Sequence, residues 1–112
     1  MNTEEIKELA LEFLDDLKAR DVVSLDVSQL TDVTDTLIIA TGTSARHVKS
    51  LADNVAMEFK KRDYAPLGVE GGNVGDWVLV DLDSVVVHVM QEEARELYDL
   101  ERLWAGPGPD GE

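Results

Sequence analysis

The stretch Trp77-Val78-Leu79-Val80-Asp81-Leu82-Asp83-Ser84-Val85-Val86-Val87-His88-Val89-Met90 decides the fold. Two runs rich in valine flank Asp83-Ser84, a pair suited to a tight turn. With Leu82 opposite Val85, the spacing predicts a hairpin. Val80 then faces Val87, Val78 faces Val89, Leu79 faces His88 and Trp77 faces Met90. Side chains alternate along a strand, so this hairpin has two unlike faces. One face carries Val78, Val80, Leu82, Val85, Val87 and Val89, compact side chains of the kind a helix-covered core requires. The other carries Trp77, Leu79, His88 and Met90, with Asp81 and Val86 towards the turn. Aromatic residues and Met are enriched where proteins meet proteins, and a thioether adapts to an irregular partner. The pattern leaves two covers open for this second face: the chain's own last helix, or another protein.

Outward from the hairpin, helical and extended periods alternate. Ile6, Leu9, Ala10, Phe13, Leu14 and Leu17 fall on one helical face, after a cap at Asn2 or Thr3 and with an end near Ala19-Arg20. Residues 22–27 read as a short strand, and Leu37-Ile38-Ile39-Ala40 as a central strand covered on both sides. Thr43 or Ser44 caps a second helix whose apolar face is Val48, Leu51, Ala52, Val55, Ala56 and Phe59. Lys60, Lys61 and Arg62 in its last turn complement the helix dipole. Residues 63–69 hold a Pro and a Gly and suit a short or edge strand. A glycine-rich loop follows over 70–75, and residues 92–104 read as a last helix or one broken into two turns. The resulting fold class is α/β: a single mixed β-sheet of about five strands with helices packed on it, and one parallel crossover around the second helix. One domain over 1–104 is expected, followed by a disordered Gly/Pro tail over 105–112.

The totals narrow the function classes. Ten Lys and Arg stand against 24 Asp and Glu, a net charge of −14. Broad attraction to nucleic acid or an anionic membrane needs the opposite sign, so a basic partner fits better. Arg46, Lys49, Lys60, Lys61 and Arg62 against Asp53 and Glu58 leave a local +3, so the rest of the chain carries −17. That patch suits at most a minor RNA contact at the rim of a larger interface. The absence of cysteine removes disulfides, thiolate chemistry and Cys-ligated zinc. The acidic start Met1-Asn2-Thr3-Glu4-Glu5 does not read as a signal peptide, and no apolar run approaches a membrane span. A cytoplasmic location is expected.

Candidate chemistry is thin. His47 and His88 each stand without a ligand cluster, and His47 in the first turn of a helix suits capping or a partner contact. Gly42-Thr43-Ser44 lacks the Gly-Lys-Ser/Thr ending of a P-loop, and the loop from Glu70 to Gly75 leads into a strand rather than a helix. Asp81-Leu82-Asp83 has the spacing of a magnesium-holding acid pair of nucleotidyltransferases, but Asp83 also suits the turn and no third acid aligns with the pair. No catalytic residue, metal site or cofactor is expected. A metal-dependent nucleotidyltransferase and an acidic dimeric scaffold remain as alternatives.

Two stretches resemble the ribosomal silencing factor (Iojap) family. The first is Leu25-Asp26-Val27, then Thr34-Asp35, then Ile38-Ile39-Ala40-Thr41-Gly42-Thr43-Ser44-Ala45-Arg46-His47-Val48 and Ala52-Asp53. The second is Gly68-Val69-Glu70-Gly71, Asp76-Trp77-Val78-Leu79-Val80-Asp81-Leu82, Val85-Val86-Val87-His88-Val89-Met90 and Tyr98-Asp99-Leu100-Glu101-Arg102-Leu103-Trp104. One departure stands out: Asp83-Ser84 replaces the Gly-Asp usual in the family's hairpin turn. The resemblance implies a nucleotidyltransferase-like fold lacking the catalytic acids. It also implies binding to the fourteenth protein of the large ribosomal subunit at the intersubunit face, steric exclusion of the small subunit under starvation, and a homodimer off the ribosome. Beside it, the residues suggest an apolar centre of Trp77, Leu79 and Met90 with Tyr98 from the last helix and His88 among them, rimmed by Glu70, Asp76 and Asp81.

Overall fold

A computed structural model describes residues 1–71 and 75–104. The chain opens with α1 (Thr3–Asp16). Asn2 Oδ1 accepts the Glu5 amide at 2.8 Å and Glu5 Oε1 accepts the Asn2 amide at 3.0 Å, a reciprocal capping box. The helix buries Ile6, Ala10, Phe13 and Leu14 as its period predicts, with Leu9 partly buried, but Leu17, expected on the same face, falls at the C-cap and is exposed. It ends before the expected Ala19-Arg20, because Lys18 turns left-handed (φ +62°).

The strands are β1 (Arg20–Asp26), β2 (Thr36–Gly42), β3 (Gly68–Glu70), β4 (Trp77–Asp81) and β5 (Val85–Gln91). They form one five-stranded sheet in the order β1-β2-β5-β4-β3. β2 and β5 are parallel neighbours; the other three pairings are antiparallel. The apolar run of β2 is buried along its whole length, as befits an interior strand. The helix α2 (Ala45–Lys61) connects β2 to β3, which runs in the same direction, and the later hairpin β4–β5 fills the gap between them. The hairpin pairs as the spacing predicts: Trp77 with Met90, Val78 with Val89, Leu79 with His88, Val80 with Val87.

α1 and α2 cover one sheet face. Val48, Leu51, Ala52, Val55, Ala56 and Phe59 of α2 meet the hairpin's valine face, with Phe13 and Phe59 edge-to-face at 5.2 Å. Ser44 caps α2 by accepting the His47 amide at 3.1 Å. Gly42 is required just before it, because a Cβ there would lie 2.7 Å from Val48 Cγ2. On the other face lie α3 (Glu92–Tyr98) and α4 (Leu100–Trp104). The break between them is Asp99 in the left-handed region (φ +51°). The expected tail over 105–112 and the centre of the glycine-rich loop, 72–74, lie outside the described residues.

A half-covered sheet face as candidate docking surface

Directly paired residues share a face, so the register lays out the second face in rows. One row runs Val23, Ile39, His88, Leu79, Glu70 across the five strands; its neighbour runs Leu25, Leu37, Val86, Asp81, Gly68. Beyond them lie Thr41, Met90 and Trp77. α3 packs on β5 and β2, and Val27, Leu37, Ile39, Met90, Ala94 and Leu100 close into a second, smaller core. The β4–β3 side of the same face lacks such a lid among the described residues. Leu79 and Trp77 are half-buried there, Glu70 is exposed, and Leu97 and Tyr98 stand 76% and 52% exposed at its border.

Met90 departs from the sequence expectation. It is fully buried in the second core rather than at the surface. β5 ends at Gln91 and α3 begins at Glu92, so the helix folds back at once over the last residues of its own strand. His88 is buried as well. The side chains that reach the surface are Trp77, Leu79 and Tyr98, with Leu97 added. Leu97 lies three residues after buried Ala94, so helical period alone would have turned it inward.

Trp77 sits at the boundary between covered and open sheet. Its ring lies 4.6 Å from that of Tyr98 and 5.7 Å from that of His88. Its Nε1–H donates to His88 Nδ1 at 2.9 Å. Nδ1 therefore carries the lone pair, and burial holds the imidazole's pKa down at about 4. Carboxylates frame the apolar centre. Glu70 neighbours Leu79 across the strands, and Asp81 neighbours Val86. Asp76 shares a cleft with Glu93, Leu97 and Tyr98. Asp81 is also engaged internally, because its Oδ1 accepts the Asp83 amide at 2.9 Å.

Other features singled out in the sequence lie elsewhere. His47 Nδ1 accepts the Thr43 amide at 2.9 Å and Nε2 donates to the Leu17 carbonyl at 2.7 Å, so this ring ties the start of α2 to the end of α1. In the basic segment, Lys61 and Arg62 pair with Glu58, and the Arg62 guanidinium lies 4.8 Å from the centre of the Phe13 ring. Asp83 occupies the turn in the left-handed region (φ +77°). Among the described residues no three His, Asp or Glu side chains converge as metal ligands, and no helix is long and apolar enough to cross a membrane.

The family described as "Ribosomal silencing factor during starvation" matches residues 1–111. The chain belongs to the ribosomal silencing factor family. The silencing factor RsfS of Haemophilus influenzae is 49% identical over 98 residues, which span 88% of this chain and 96% of that one. A crystal structure of a Chromobacterium violaceum protein superposes with a TM-score of 0.92 at 46% identity, covering 97% of this chain and 91% of that one. A mouse protein named "Mitochondrial assembly of ribosomal large subunit protein 1" is 36% identical over 89 residues, 77% of this chain and 39% of its own length. The half-covered sheet face thus sits on a ribosomal silencing factor scaffold.

Proposed function

We propose that this chain represses translation without catalysis, by docking Trp77, Leu79 and Tyr98 on the fourteenth protein of the large ribosomal subunit and so excluding the small subunit. The reading deepens the family's ribosomal theme, and the name of the mouse relative points to the large subunit. One observation carries it: among the described residues, the β4–β3 side of a sheet face has no helix over it and holds aromatic and aliphatic groups in reach of a partner, inside a rim of carboxylates. Large aromatics ringed by polar groups are the usual anatomy of an interface hot spot. A chain of net charge −14 is drawn to a basic ribosomal protein, not to bare RNA. The cytoplasm is where such a target is met, and the free protein pairs as a homodimer.

Sedimentation through a sucrose gradient tests the reading. Large subunits carry the chain with them, and small subunits added afterwards fail to join. Trp77→Ala and Tyr98→Ala each weaken co-sedimentation, by about 2 kcal/mol if each is a central anchor. Unchanged co-sedimentation of both variants removes this face from the interface. The protein-only lane gives the mass of the free species, and a monomer there discards the homodimer.

A further inference from the structure

We propose that His88 is a positioning residue for this face: its Nδ1 holds the Trp77 indole in its docking pose and satisfies the indole N–H, so that an approaching partner need not do so. The inference rests on the docking role of Trp77. Three observations converge on it. The Trp77 Nε1–H points inward to Nδ1 at 2.9 Å, not outward. The imidazole is itself fixed, being buried on β5 between its row neighbours Ile39 and Leu79. The Trp77 ring meanwhile stays half-buried against the half-exposed Tyr98 at 4.6 Å, so its flank is available while its polar atom is not.

The physical consequence concerns desolvation. A surface indole ordinarily bonds water through its N–H, and docking strips that water away. The N–H then needs an acceptor from the partner or remains buried and unsatisfied, which weakens binding. With His88 as the internal acceptor, Trp77 presents only carbon to the partner. Aliphatic side chains, or the methylene stem of a Lys or Arg on its way to Glu70 or Asp76, can then cover it without penalty. The bond also selects one indole rotamer before docking, so the side chain need not be ordered on binding.

The test uses the full chain and isolated large subunits. In the ¹⁵N-labelled protein, a scalar coupling across the Trp77 Nε1–H···Nδ1 His88 bond is expected in solution, and its absence overturns the inference whatever the variants do. His88→Leu removes the acceptor and lowers affinity for large subunits about tenfold. His88→Asn, whose side-chain oxygen can stand near the place of Nδ1, restores most of that loss. A merely structural role would not discriminate in this way: thermal melting of the two variants would then track their affinity. If His88→Leu binds as tightly as the unaltered chain while Trp77→Ala does not, positioning by His88 is wrong and the docking face stands. If Trp77→Ala also binds normally, both fall together.

Discussion

At the residue scale, Asp83 and His88 hold the least comfortable positions on the hairpin. Asp83 has φ +77°, a region where a side chain costs energy and glycine does not, although Asp tolerates it better than most. The amide of Asp83 donates to Asp81 Oδ1 at 2.9 Å, which offsets part of that strain. Asp83→Gly, which removes the side chain from this left-handed position, is expected to raise stability by about 0.5–1 kcal/mol in urea unfolding, with no effect on ribosome binding. His88 makes stability depend on pH. Its folded pKa of about 4 lies below the 6.5 of an unfolded imidazole. The unfolded chain therefore binds more protons as pH falls from 6.5 towards 4, and the folded state loses stability across that window. A proton on Nδ1 would also end its acceptance of the Trp77 N–H. The loss amounts to about 2–3 kcal/mol by pH 4. Urea midpoints at pH 7 and pH 4.5 measure it against His88→Asn, which lacks the titrating ring and falls less.

At the element scale, the short pair α3 and α4 decides which part of the face is open. Seven and five residues are too few for either helix to be stable alone. Arg95 secures them. Its side chain is only 10% exposed, its Nε donates to Glu101 Oε1 at 2.8 Å, and a guanidinium NH donates to Thr41 Oγ1 at 2.6 Å. One residue thus links α3, α4 and β2, and its hydrogen bond holds the Glu101 carboxyl below the ordinary carboxylate range. Arg95→Met keeps most of the buried stem and removes both bonds. We expect a loss of about 2 kcal/mol in urea unfolding, with faster amide exchange in α3 than in α2. Equal acceleration in both helices would mean that α3 does not open by itself. The helices α1 and α2 need no such clamp, because each offers a continuous apolar face to the sheet. Their faces were readable from the sequence for that reason, whereas Arg95 reaches Thr41 across 54 positions of chain and left no local trace.

At the scale of the whole molecule, the proposed docking divides between charge, which would govern approach, and shape, which would govern arrival. With −14 spread over 112 residues, attraction to a cationic surface acts beyond contact distance. The association rate with large subunits should therefore fall as salt rises from about 50 to 300 mM, while the dissociation rate, set by the apolar centre, changes little. Stopped-flow mixing at several ionic strengths reads both. A flat association rate would show that the acidity serves solubility alone.

The sequence by itself determined the kind and order of the elements, though not their ends, together with the register of the hairpin and the division of its two faces. All of these follow from periods of two and 3.6 residues and from a turn between neighbouring strands. The sequence also offered Asn2 or Thr3 and Thr43 or Ser44 as caps, and an unbroken or a broken last helix; the structure chose Asn2, Ser44 and a break at Asp99. Only the tertiary structure decided that β5 inserts beside β2, that Met90 is sealed while Trp77 is not, and that the indole N–H turns inward to His88. A residue's period tells which side of a strand it occupies. What lies over that side depends on where distant segments come to rest, and burial is a property of the packed chain, not of any stretch within it.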